Sequence, residues 1–182
     1  MRIFTYINQD HRHYFKKTSC LHFIYRFYTH QGFKIVTYFR FCQYLDQMGG
    51  GFSVLAKIIC NRISVIYSID FSPNCQIAEG LLFDHAGPRV INPSAIIGKH
   101  CMIHPNVLIG GDRGKGTPII GDNVFIGNGA KIIGNCRIED WCFISPGAII
   151  TKDIPEGSLV GAGLNCILNQ DGKKHVLMYY NG

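Results

Sequence analysis

The sequence predicts an all-β solenoid, a left-handed parallel β-helix of hexapeptide repeats, with a short α-helical segment in front of it. Three observations predict this. An aliphatic or Phe residue recurs at positions 71, 77, 83, 91, 97, 103, 109, 120, 126, 132, 138, 144 and 150. Four places after an opener comes a small or apolar residue, as at Cys75, Leu81, Ala95, Cys101, Val107, Val124, Ala130, Cys136, Cys142 and Ala148. The steps are six, apart from eight between Phe83 and Ile91 and eleven between Ile109 and Ile120. A period of six held this long marks a solenoid, and neither 2 nor 3.6 accounts for it. Each hexad supplies a short strand and a bend. Three hexads make a triangular coil whose openers fill the axis, and only stacked coils bury that inner face.

Taken in order, residues 1–68 read as an N-terminal helical segment. Apolar residues fall at 3–4 spacing over His22–Tyr28, Phe33–Leu45 and about Ser53–Tyr67, with breaks near Gln31-Gly32 and at Gly49-Gly50-Gly51. The dense aromatic residues, among them Phe23, Tyr25, Phe27, Tyr28, Phe33, Tyr38 and Phe39, interleave with Lys16, Lys17, Arg26, Lys34 and Arg40. Two readings fit. One is a cap on the first coil and on a neighbouring subunit. The other is an interfacial, membrane-facing segment. Residues 69–156 are the solenoid, and residues 157–182 read as a tail that leaves the coil and caps its open end.

Composition narrows the classes. The net charge of +6 is modest and its Lys and Arg are dispersed, so nucleic-acid binding is not expected and an acidic cofactor suffices as partner. The start of the chain has no apolar signal region, and no run of 18 apolar residues predicts a transmembrane helix. The eight cysteines form no CxxC pair and no zinc spacing with His. Four of them, Cys75, Cys101, Cys136 and Cys142, fill the small inward slot as small hydrophobes. No metal is expected. Free thiols fit a reducing cytoplasm, with peripheral attachment to the inner membrane as the corollary of the membrane-facing reading.

The two phase breaks carry the chemistry, because insertions in solenoids become loops on one face. The first follows Asp84-His85 and reads Gly87-Pro88-Arg89-Val90. The second reads Gly110-Gly111-Asp112-Arg113-Gly114-Lys115-Gly116-Thr117-Pro118. His85 is the candidate catalytic base, since imidazole can take the proton of a hydroxyl attacking a thioester. A carboxylate on its other nitrogen would orient it. Asp84 is adjacent, and neighbours on a strand point apart. Asp70 lies fifteen residues back, near one coil below, so Asp70 is the expected orienter. Asp84, Asn92 and Thr117 are the candidate substrate ligands. His104 and His100 fall in the coil above His85, where His104 either lines the same groove or turns a surface corner.

Asp70-Phe71-Ser72-Pro73, Phe83-Asp84-His85-Ala86-Gly87, Gly110-Gly111-Asp112-Arg113-Gly114 and 126–135 (Ile-Gly-Asn-Gly-Ala-Lys-Ile-Ile-Gly-Asn) resemble the serine acetyltransferase family. The resemblance covers about residues 70–165. Val90-Ile91-Asn92 is similar to its colanic-acid and capsular-polysaccharide branch. The resemblance implies acetyl-CoA-dependent O-acetylation by a homotrimer with sites between subunits. It puts the catalytic His at His85, its partner at Asp70 and the substrate-side Asp at Asp84. CoA-lining positions are then Gly110, Gly111, Ala130, Ser145, Gly147 and Ala148, with Lys152 near the phosphates. Arg113, Lys115 and Lys131 are further phosphate candidates. The family's loop histidine is Thr117 here, and its C-terminal Gly-x-Pro-Ala turn is Gly161-Ala162-Gly163-Leu164. A neutral Thr117 and a short helical segment point to a saccharide acceptor, free or lipid-linked, in surface polysaccharide assembly. The alternatives are O-acetylation of L-serine for cysteine synthesis and a non-catalytic trimeric scaffold.

Overall fold

The computed structural model describes residues 3–16, 19–112, 114 and 116–181, with only the backbone of the last. Four helices come first: α1 (Ile3–Phe15), α2 (Cys20–Thr29), α3 (Gln31–Met48) and α4 (Gly50–Tyr67). The breaks fall at His30 and Gly49. Each uses its own device, an imidazole that accepts the Phe33 N–H and a glycine at φ 73°. Helix α1 is an element that the apolar spacing did not predict.

Five coils follow. The first holds β1 (Ile69–Asp70), β2 (Gln76–Ile77) and β3 (Leu82–Phe83). The second holds β4 (Arg89–Ile91), β5 (Ile96–Ile97) and β6 (Met102–Ile103), and the third β7 (Val107–Gly110), β8 (Ile119–Ile120) and β9 (Phe125–Ile126). The fourth holds β10 (Lys131–Ile133), β11 (Arg137–Ile138) and β12 (Phe143–Ile144). The fifth begins with β13 (Ala148–Ile150), passes Ile154, bridged to Ile138, and ends in β14 (Leu159–Val160). Equivalent strands stack in parallel into three sheets. Undisturbed rungs are a coil of eighteen apart, as in Val90↔Leu108 and Lys131↔Ile149. The two insertions lengthen Asp70↔Val90 to twenty and Leu108↔Lys131 to twenty-three. Every opener from Phe71 to Ile150 is buried, none more than 6% exposed, as are all four slot cysteines. The hexad rule and the parallel β-helix that it predicts are therefore realised residue by residue.

Both ends of the solenoid are closed. At the start, side chains of α1 and α3 take up backbone groups that have no coil beneath them. Gln43 Nε2 donates to Cys75 O at 2.9 Å, and Arg40 Nη1 to Ile77 O at 2.7 Å. Asp10 Oδ1 accepts the Gly80 and Leu81 N–H groups at 2.7 and 2.9 Å. Arg40 Nε and Asp10 Oδ2, both buried, pair at 2.8 Å. The far end runs beyond the expected boundary at residue 156. There β14 extends the third sheet, β15 (Gly163–Leu164) extends the first, and β16 (Ile167–Asn169) turns back antiparallel to β14. The tail does not simply leave the coil. Its last piece, α5 (Gly172–Asn181), lies on the outer face of the third sheet, where Val176 joins Leu82, Met102, Phe125 and Phe143 in a second apolar cluster. Lys173 rests over the ring of Trp141, 4.8 Å from its centroid.

Helix α4 departs from the expectation of no spanning segment. At 18 residues it is long and apolar enough to cross a membrane by length and composition. It also carries Lys57 and Arg62, and it packs one face on α3 and β1.

Candidate active site

Two edges of the triangular prism hold the candidate residues. The first edge joins the third sheet to the first. Going up the coils it comprises residues 84–88, 104–106, 127–130, 145–147 and 161–162. The second joins the first sheet to the second and carries residues 92–95, 111–118 and 151–153. His85, Asp84, Ala130, Ser145 and Gly147 stand on the first edge, and Ala148 opens the strand that leaves it. Asn92, Gly111, Thr117 and Lys152 stand on the second, with Gly110 at the end of the strand that leads to it. Between the edges runs β7, four residues at about 3.3 Å each, roughly 13 Å. One protomer therefore does not bring Thr117 to His85. The two sets meet only if the first edge of one chain faces the second edge of another.

His85 has φ 57°, a left-handed backbone, in the bend that the two-residue insertion creates. That bend overturns the expectation drawn from strand geometry. Neighbours on a strand point apart, but here the left-handed turn brings the His85 ring back to its neighbour. His85 Nε2 lies 3.4 Å from Asp84 Oδ2, with the His85 side chain 73% exposed and that of Asp84 33%. The His85 N–H also donates to Asp84 Oδ1 at 3.2 Å. Asp70 sits exposed on β1, laddered to Val90, and among the described residues it makes no ion pair with His85. The carboxylate that stands beside the His85 ring is that of Asp84.

Three further residues complete this edge: Arg89 and His30, to which the sequence reading gave no role, and His104, which it left between the groove and a surface corner. Arg89 is buried, and its guanidinium lies 4.6 Å from the Phe83 ring centroid. It donates to Asp84 O at 2.6 Å, His85 O at 2.9 Å, Gly87 O at 3.0 Å and Ile103 O at 3.2 Å. Four carbonyls held by one planar fork fix the loop that carries the catalytic candidates. Burial lowers Arg89 to about 10, still protonated at neutral pH. Its position was readable in part, since Ile69↔Arg89↔Val107 is an inward column and an arginine there breaks the apolar rule. His104 stands one coil up, its Nε2 3.5 Å from the same Asp84 Oδ2. His30, the cap of α3, feels Asp84 and His85 from the helical side, and burial holds it below the usual histidine range.

At the second edge, Asn92, Ser94, Gly111, Asp112, Gly114, Gly116 and Thr117 line a cavity of about 430 Å³. Thr117 Oγ1 donates to Ser94 O at 2.9 Å, which ties the long loop to the coil below. A Cβ on Gly111 would lie 2.9 Å from Thr117 Cγ2, so the loop closes only around a glycine. Arg113 and Lys115 lie outside the described residues. Lys131 and Lys152 are exposed on the surface. On the first edge, Gly129 and Gly147 are left-handed and nothing lies within 4 Å of where a Cβ would be. Their backbone is open to an approaching ligand. Among the described residues no group of three metal-ligating side chains occurs.

The coil, its buried openers and its two insertions define a hexapeptide-repeat protein of the parallel β-helix class. Residues 117–152 match the family described as bacterial transferase hexapeptide (six repeats). Within that class the similarity runs to the serine acetyltransferases. The chain is 35% identical over 124 residues to serine acetyltransferase of Staphylococcus xylosus, covering 66% of this chain and 57% of that one. The crystal structure of Neisseria gonorrhoeae serine acetyltransferase superposes with a TM-score of 0.81 at 27% identity, over 92% of this chain and 67% of that one. A serine acetyltransferase solved as a complex with CoA superposes with a TM-score of 0.66 at 29% identity, over 75% of this chain and 56% of that one. The chain spans from 27% to 57% of the length of the curated relatives that it matches. These relatives overturn the saccharide acceptor and the polysaccharide-assembly role expected from Thr117 and Val90-Ile91-Asn92. A missing loop histidine was too slender a basis for the acceptor. The relatives also lend no support to the colanic-acid branch.

Proposed function

We propose that the chain transfers the acetyl group of acetyl-CoA to the hydroxyl of L-serine. The observation that carries this reading is the Asp84–His85 pair on an open, glycine-bordered edge, in a chain whose relatives are serine acetyltransferases. His85 takes the serine hydroxyl proton as the oxygen attacks the thioester carbonyl. Asp84 balances the imidazolium that forms. The tetrahedral intermediate collapses, the C–S bond breaks, and the imidazolium returns the proton to the departing CoA sulfur. Products are O-acetylserine and CoA.

The first edge suits the pantetheine arm. The backbone at Ala130, Ser145 and Gly147 can meet its amides without side chains intervening, and Lys131 beside it can meet phosphate. Because Gly111, Asn92 and Thr117 lie on the other edge, a full site takes two chains. We therefore propose a trimer in which each first edge faces a neighbour's second edge, closed symmetry being the norm.

The test is CoA release, followed with a thiol reagent, against L-serine and a panel of sugars and nucleotide sugars. The expected outcome is a kcat/KM for L-serine at least tenfold above any saccharide, about 1.4 kcal/mol of transition-state preference. Comparable or lower turnover of L-serine would overturn the reading.

A further inference from the structure

The nitrogen of His104 nearest the site has been given no role. His104 turns inward from the first edge, its side chain 14% exposed, against Phe125 at 4.9 Å and Tyr179 of α5 at 6.3 Å between ring centroids. Its Nε2 is buried and has no hydrogen-bond partner within normal geometry. The polar atom it faces is Asp84 Oδ2 at 3.5 Å, the same oxygen that faces His85 Nε2 at 3.4 Å. One carboxylate oxygen thus stands between two imidazoles, whose centroids are 6.0 Å apart. We infer that His104 is a positioning residue for the proposed acetyl transfer: its Nε2–H holds the Asp84 carboxylate that orients His85.

The physical case rests on three points. A buried N–H without an acceptor is costly, and a small rotation of the Asp84 carboxylate supplies one. Catalytic hydrogen bonds are often long before substrate binds and tighten afterwards. The role also needs His104 uncharged, so that it directs Asp84 without neutralising it. The charged and titratable groups around His104 are Asp84, His85 and Arg89, together with Tyr179 from α5. Burial is the largest influence and depresses His104 below the usual histidine range, with His85 and Arg89 acting the same way and Asp84 against them.

This inference rests on the serine acetyltransferase reading for its catalytic consequence but not for its geometry, and the two are tested apart. Long-range 1H–15N spectra of the histidine rings in the whole protein report the tautomer without any turnover. The expected result at pH 7 is a neutral His104 protonated at Nε2. A proton at Nδ1 alone, or a doubly protonated ring, would overturn the inference whatever the enzyme acetylates. Kinetics give the second arm. His104→Phe keeps the ring packing and removes the donor, whereas His104→Gln keeps a donor. His104→Phe is expected to lower kcat tenfold or more and leave the KM for acetyl-CoA within twofold, and His104→Gln to recover at least threefold of that loss. Equal impairment of both folded variants, or an unchanged kcat in His104→Phe, would also overturn it.

Discussion

Arg89 makes the site possible at the scale of a single residue. The loop from Asp84 to Pro88 departs from the hexad and turns left-handed at His85, and Arg89 gathers its carbonyls from inside the coil. Lysine would keep the charge but not the fork, and methionine would keep neither. Arg89→Met is expected to lower the unfolding free energy by about 3 kcal/mol, since one buried and three part-buried carbonyls lose their donor. Arg89→Lys should fall between that variant and the parent. Urea midpoints measured alongside kcat will check both, and kcat is expected to fall further than stability alone explains because the His85 backbone loosens. Sequence reasoning reached His85 and Asp84 because a histidine beside a phase break stands out. It expected Asp70 beside the imidazole because it treated 84–85 as strand, whereas the bend there brings the His85 ring to Asp84.

Helix α3 shows the same logic at the scale of an element. Its second residue, Gly32, reads in sequence as a helix breaker, yet it lies inside the helix. A Cβ there would fall 1.8 Å from the backbone oxygen of Phe83. The glycine exists for close approach, and it seats the helix on the strand that leads to Asp84. Gly32→Ala is expected to lower the unfolding free energy by about 2 kcal/mol or more, because the atom it meets is backbone and cannot swing away. Gly51→Ala in α4 is the contrasting case. No atom lies within 4 Å of its Cβ position and its φ is not left-handed, so a gain of about 0.5–1 kcal/mol is expected from helix propensity. Thermal melts of the two variants should move in opposite directions. Periodicity reveals that such helices exist. It does not reveal what they dock on, since Asp10, Tyr14, Gly32 and Arg40 meet coil residues far away in sequence through contacts that follow no repeat.

On the scale of the whole molecule, one of the fastenings between the helices and the coil is a histidine. His13 of α1 bonds Gly80 O through Nδ1, its rings meet those of His100 and Tyr180, and its Nε2 is buried without a partner. Burial lowers His13 to about 4 from an ordinary 6.5. Between those values the unfolded chain binds the proton that the folded one refuses, so stability is full above pH 6.5 and is lost as pH falls towards 4. The span corresponds to about 3 kcal/mol. His11, His30 and His104 are depressed by burial too and act in the same sense. Burial raises Asp10, which acts in the opposite sense. His13→Phe isolates the first effect: the loss of stability between pH 7 and pH 4.5, read from urea midpoints, should be smaller in the variant than in the parent. The coil from Phe71 to Ile154 was legible in sequence, because six-residue spacing and its two interruptions show there, whereas its continuation through β14 and β15 breaks the hexad and was not. The acceptor was not, because acceptor contacts come from loops without a repeat.

The division of the candidate residues between two edges has a genetic consequence. In the proposed trimer, a chain with His85→Ala lacks one half of each site, and a chain with Gly111→Val lacks the other. Each alone should be nearly inactive, His85→Ala by about 10²–10⁴ in kcat. Mixed in equal amounts and assembled together, they share their defects unequally among the three seams of a trimer. In about a quarter of seams an intact His85 faces an intact loop, if assembly is random and closed. Co-expression of two dead alleles is therefore expected to restore roughly a quarter of parental activity, and no such recovery would mean that each chain carries its whole site.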